Sequence, residues 1–170
     1  MKDRMELAEY AGRIGCKHTA EIGVYDGKYS LIMCENIPNI HHICVDTWLP
    51  SRNHRWQRRL DKAFRRARRI LAPYDVKFMK MTSLEAADET EDNSLDFIYI
   101  DALHDYHNML ADAYAWYPKL RKGGIFSGHD WGHQGVTKAV LDFVCDKNIN
   151  NLKHTEDVEG PGFPSWYFIK

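Results

Sequence analysis

The chain has 170 residues and a mass of 19.9 kDa. That is one domain's length and enough to bury a core without disulfides or a structural metal. Its 44% hydrophobic and 28% charged residues exclude a disordered or collagen-like chain. No apolar run approaches the roughly 18 residues a bilayer span needs. The start, MKDRMELAEY, has no secretory stretch, so a single domain over 1–170 in the cytoplasm is expected.

The net charge of −1 hides an uneven distribution. Residues 51–70 hold eight arginines and one lysine against one aspartate, which leaves the remaining chain strongly acidic. The four cysteines, Cys16, Cys34, Cys44 and Cys145, form no C-x-x-C pair. They read as reduced thiols, three of them inside apolar segments.

In chain order, Met5 to Ile14 reads as a short helix. Strand-like runs then appear at 18–24, 41–46, 76–80, 95–101 and 123–130. Between them lie amphipathic stretches. One spans 26–37 and opens with Asp26 as its cap. An arginine-rich helix carries the stripe Trp56, Leu60, Ala63, Phe64, Ala67 and Leu71. Others run over Leu84–Asp88, from about His104 to Tyr117 before Pro118, and after Gly135. Runs at 152–158 and 165–170 flank EGPGFP and read as an antiparallel hairpin. The expected architecture is α/β: a Rossmann-like, seven-stranded, mostly parallel sheet with a C-terminal antiparallel hairpin and helices on both faces.

The first strand ends in Glu21-Ile-Gly23-Val-Tyr25-Asp26-Gly27. A strand, a glycine turn and a helix form a cradle at the carboxyl edge of a parallel sheet. Alone the spacing is weak, since such glycines also serve close packing. Asp26 is expected to occupy the helix N-terminus and repel a phosphate there. G-x-G-x-x-G is absent, which disfavours an NAD-type dehydrogenase. Asp46, at the end of the second strand, is an acceptor for ribose hydroxyls, or else a turn-starting aspartate.

These residues resemble a class I S-adenosylmethionine (SAM) dependent methyltransferase. The stretch IDALHDYHNMLADAYAWYPKLRKGGIFSGHDW, followed by GVTKAVLDF, is similar to a small family related to catechol-type and macrolide-sugar O-methyltransferases. The resemblance covers about residues 18–148. It implies SAM as cofactor, held by Glu21, Gly23, Tyr25, Asp26, Gly27, Asp46, Thr47, Ser83, Leu84 and Asp101. It also implies that the last strand of the hairpin lies inside the sheet edge.

Asp101 closes the fourth strand, and His129 and Asp130 close the fifth. Two carboxylates and an imidazole suit a divalent metal: Mg²⁺, Mn²⁺ or another. The other reading has Asp101 touching cofactor or substrate and His129 merely nearby. The related O-methyltransferases carry an acid or amide where His129 stands. The resemblance implies a general base at His104, where catechol-type relatives place one; it either takes a hydroxyl proton, or caps its helix or lines the pocket. Asp101 and His104 are thus the catalytic candidates. Tyr106, His107, Trp131 and His133 are candidate pocket walls.

The basic face of Arg52, Arg55, Arg58, Arg59, Arg65, Arg66, Arg68 and Arg69 is either a solvated surface or a dock for an acidic substrate or partner. No nucleic-acid motif accompanies it. The segment Trp48–Arg55 is read as a lid. The expected acceptor is a small molecule or glycan, with no membrane partner, and an oligomer is compatible with the open site. The alternative function is a catalytically idle SAM- or nucleic-acid-binding module using the helix at 51–70.

Overall fold

A computed structural model describes residues 1–49, 56–156 and 163–170. Seven strands form one sheet: β1 (His18–Ile22), β2 (His41–Val45), β3 (Asp75–Met79), β4 (Leu95–Ile100), β5 (Leu120–Gly128), β6 (Lys153–His154) and β7 (Trp166–Ile169). Their order is β3-β2-β1-β4-β5-β7-β6. The first five are parallel, and β7 runs antiparallel between β5 and β6. The expected architecture and the inserted last strand are both present.

Six helices cover the faces: α1 (Arg4–Arg13), α2 (Lys28–Asn36), α3 (Gln57–Ile70), α4 (Ser83–Asp88), α5 (Tyr106–Trp116) and α6 (Gln134–Asp146). β4 is buried at every position, as its unbroken apolar run requires of a central strand. Successive side chains alternate between the faces. Phe97 and Tyr99 join a core with Leu7, Met33 and Ala67 of α1–α3. Ile98 and Ile100 join the opposite core with Met109, Trp116 and Phe143 of α5 and α6.

Several boundaries differ from the sequence expectation. β5 begins at Leu120, because Gly123, at φ 82°, is absorbed as an irregularity inside the strand instead of starting it. Among the described residues of the 152–158 run, Lys153 and His154 pair as β6; 157 and 158 lie outside the described residues. Cys16, Cys34 and Cys44 are buried, Cys145 is exposed, and all four are free.

The helix starts follow local chemistry. Asp3 caps α1 by accepting from the Glu6 N–H. Thr82 and Glu85 form a reciprocal capping box on α4. Asp105, not His104, caps α5, accepting from the N–H groups of His107 and Asn108. No described helix is long and apolar enough to cross a membrane.

Candidate functional site

The strand order reverses between β1 and β4, since β2 lies on one side of β1 and β4 on the other. A crevice opens outside the carboxyl ends of strands at such a point. Gly23 makes the turn out of β1 at φ 92°, and a Cβ there would lie 2.0 Å from the Asp101 carbonyl oxygen. Only glycine lets the β1 turn press so closely on the end of β4.

The loop that follows is braced from β2. Asp46 Oδ2 accepts the Tyr25 N–H at 2.9 Å, and Oδ1 accepts the Trp48 N–H at 2.7 Å. Buried Trp48 donates from Nε1 to the Tyr25 carbonyl at 2.8 Å. Tyr25 is held at φ 49°.

Asp26 does not take the place expected of it. The N-cap of α2 is Gly27, with no side-chain cap. The Asp26 carboxylate instead accepts from Arg66 of α3 at 3.1 Å, with Lys28 at 3.5 Å. The nearby arginine helix outcompetes the helix N-terminus for this charge.

A cleft of about 1000 Å³ lies over the crevice. Gly23, Tyr25, Asp46, Thr47, Ser83, Leu84 and Asp101 line it, as expected. Glu21, Asp26 and Gly27 do not. Glu21 is buried beneath the loop, hydrogen-bonded by the Ser30 hydroxyl. Burial pushes its carboxyl up to about 8, with the Ser30 hydrogen bond opposing.

The lining contains three carboxylates, Asp46, Asp101 and Asp112, and no lysine or arginine among the described residues. Sequence reasoning missed Asp112. It sits on α5 beside the core stripe, and burial raises its pKa to about 6 against the Ser83 hydrogen bond. An acid at the margin of an apolar stripe was the available signal. Trp56, assigned to the buried stripe of α3, is 52% exposed and lines the cleft with Leu60. It stands at the N-cap of α3, one residue before the helix begins.

At the carboxyl ends of β4 and β5 a second group assembles. His104 Nε2 is 3.0 Å from Asp130 Oδ2 and 3.6 Å from Asp101 Oδ1. His129 Nδ1 is 3.1 Å from Asp130 Oδ1 and 3.9 Å from Asp101 Oδ1. Arg4 of α1 reaches to 3.8 Å from Asp101, a contact that nothing in the spacing announces.

The side chains of Asp101 and Asp130 push the His104 imidazole up to about 10. Burial opposes ionisation of Asp130, but the His104 and His129 imidazoles outweigh it and hold its carboxyl well below the usual range. An imidazolium donates, so this setting does not favour His104 as a neutral base.

The trio whose donor atoms converge is Asp101, His104 and Asp130, all within 4.8 Å of one another. His129, the expected third member, stands outside this trio but keeps its contact with Asp130. Asp130 Oδ2 is buried and receives no hydrogen bond of acceptable angle.

The expected wall residues divide. His133 stands edge-on to His104, with centroids 6.1 Å apart, whereas Trp131 stacks on His154. The Tyr106 hydroxyl donates to Asp142 of α6, and His107 lies exposed against the Tyr106 ring. Neither Tyr106 nor His107 lines the cleft. Of the segment expected as a lid, only Trp48 and Leu49 fall within the described residues. Arg52 and Arg55 lie outside them.

Residues 20–131 match the family described as "Methyltransferase domain". The fold is similar to that of cofactor-bound Rv0187 from MTB, with a TM-score of 0.69 and 16% identity, over 97% of this chain and 78% of the other. It is similar to that of the O-methyltransferase from Bacillus cereus in complex with SAH, with a TM-score of 0.67 and 14% identity, over 98% and 80%. A shorter match, 37% identical over 54 residues, is to the uncharacterized protein y4gI of Sinorhizobium fredii (strain NBRC 101917 / NGR234). It covers 32% of this chain and 6% of that relative, so the chain spans only a small part of y4gI.

Proposed function

The chain belongs to the methyltransferase-domain family, and from that premise we propose that it is a SAM-dependent methyltransferase acting on a hydroxyl of a small molecule or saccharide. The charge of the cleft carries this reading. Three carboxylates line it, with no lysine or arginine among the described residues. A dinucleotide brings a pyrophosphate that needs positive compensation. A sulfonium nucleoside brings a cation and no phosphate.

Asp46 serves the ribose. Each of its oxygens spends one lone pair on a backbone N–H and keeps another for a ribose hydroxyl. Gly23 gives the methionine portion close access to the backbone. Ser83, Leu84 and Met81 form the wall for the adenine.

The acceptor oxygen attacks the methyl carbon in line as the carbon–sulfur bond breaks, and the sulfonium becomes a neutral thioether. The chain's main task is to hold oxygen and methyl about 3 Å apart. Asp101, on the cleft wall, takes the hydroxyl proton. His104 positions Asp101 and balances its charge against Asp130.

Asp101, His104 and Asp130 also fit a divalent cation, because their donor atoms converge and such an ion would stand in for the proton that His104 shares with the two carboxylates. Such an ion, when bound, would lower the pKa of the acceptor hydroxyl.

Titration calorimetry with S-adenosylhomocysteine and with NADH tests the cofactor assignment. S-adenosylhomocysteine is expected to bind and NADH is not; the reverse result overturns the reading.

A further inference from the structure

α3 presents its charges in two distinct directions. Ala63, Ala67 and Leu71 are buried and define the inner face. Arg59 and Arg66 turn toward the glycine loop and are engaged there. Arg59 Nε donates to the Tyr25 hydroxyl at 2.6 Å, and Arg66 pairs with Asp26.

Arg58, Lys62, Arg65 and Arg69 follow one another at spacings of four, three and four residues. At 100° per residue that places them in one row, opposite the buried face. The row is about 16 Å long at the α-helical rise. All four side chains are exposed. None has an ion pair or side-chain hydrogen bond among the described residues.

Four unpaired cations in a row repel one another and destabilise an isolated helix. By the same count Trp56 and Leu60, which line the cleft, fall on the inner side of the helix, so an acceptor held along the row reaches the cleft only by bending around the N-terminal end of α3. Trp56 is exposed there, with the Arg59 guanidinium 4.9 Å from its ring centroid.

Among the described residues, the cleft lining and the row have opposite signs. The acidic cleft repels an anionic group close to the reacting hydroxyl, while the row attracts anionic groups further away. One acceptor satisfies both: a linear chain with a hydroxyl on a locally uncharged unit and negative charges on its other units. A nucleic acid fits poorly, since every ribose has a phosphate directly beside its hydroxyls.

We propose that Arg58, Lys62, Arg65 and Arg69 form a docking face for an anionic polysaccharide, the acceptor whose hydroxyl enters the cleft. This rests on the methyltransferase reading above and adds the acceptor class. Aromatic Trp56 at the mouth supplies a flat apolar surface on which a sugar ring packs as the chain passes from the row into the cleft.

The test is binding, read by fluorescence anisotropy, of labelled hyaluronan oligosaccharide, whose neutral and uronate units alternate, of neutral dextran oligosaccharide and of single-stranded poly(U) to the full chain. Hyaluronan is expected to bind most tightly and to weaken as salt rises from about 50 to about 300 mM. Replacing all four with glutamate (Arg58→Glu, Lys62→Glu, Arg65→Glu, Arg69→Glu) is expected to weaken it about tenfold or more. The milder pair Arg58→Gln with Arg65→Gln gives a smaller loss and guards against misfolding.

S-adenosylhomocysteine affinity, measured in parallel, stays unchanged in both variants. Its absence from the wild type would fault the methyltransferase reading instead. Equal binding of dextran, tighter binding of poly(U), no polyanion binding by the wild type, or unchanged affinity in the variants each overturns the docking proposal.

Discussion

Gly23 and Asp101 are in backbone contact across the carboxyl ends of β1 and β4. A methyl group on Gly23 would stand 2.0 Å from the Asp101 carbonyl. That approach brings the end of β4, with Asp101, against the glycine turn that follows β1, and both line the cleft. Gly23→Ala must therefore shift one strand end and adopt a disfavoured φ. A loss of about 2–4 kcal/mol is expected, read as a lower denaturant midpoint, together with lost S-adenosylhomocysteine binding. A variant as stable as the wild type would mean that the contact relaxes freely.

Asp46 joins the loop after β1 to the loop after β2. Asp46→Ala removes both braces and the proposed ribose acceptor, so S-adenosylhomocysteine affinity is expected to fall about tenfold or more. Asp46→Asn keeps one acceptor oxygen and should lie between. Calorimetry on the three proteins decides the matter, and equal affinities would exclude a ribose role.

The cluster at the ends of β4 and β5 predicts an ion dependence. Mn²⁺ is expected to bind the wild-type chain in a calorimetric titration and to bind Asp130→Asn much more weakly. Methyl transfer should then fall on chelation and return with Mn²⁺. A wild type that neither binds Mn²⁺ nor responds to a chelator excludes the metal. In that case His104→Ala should still lower kcat, through Asp101, with KM for the methyl donor little changed.

Glu21 predicts a pH dependence of stability. Its folded-state pKa of about 8 exceeds the ordinary value of 4.5, because burial penalises the charged form. The folded chain therefore holds a proton that the unfolded chain releases. This group's contribution is fully present below about 4.5 and is lost as pH rises through about 8. Glu21→Gln cannot ionise, so its melting temperature should fall less than that of the wild type between those limits. Parallel curves for the two proteins would show that Glu21 ionises in the fold without cost.

Much of the fold was legible because its signals are local. The β4 run LDFIYI is apolar throughout, as a strand covered on both faces must be. The stripe of α3 shows the helical period, and Pro118 stops α5 where expected. That Asp46 and Asp101 line the cleft was legible because strand ends in a parallel sheet share one edge, whereas Ser83 and Leu84 were named only through the family resemblance. Misreadings arose where a side chain had a choice of partners. Asp26 could cap α2 or pair with Arg66, and that decision depends on where α3 packs. Trp56 continued a periodic stripe one step past the point where the helix still faces the core.

The sequence by itself determined the alternation of strands and helices, the glycine turn and the acidic residues at strand ends, since each is set by periodicity or backbone freedom within a few residues. Only the tertiary structure decided that His104 joins Asp101 and Asp130, that Arg4 reaches the same carboxylate, and that the cleft is acidic while the outer row of α3 is basic. Those are relations between elements distant in the chain, and electrostatic energies depend on distances in space that no local pattern encodes.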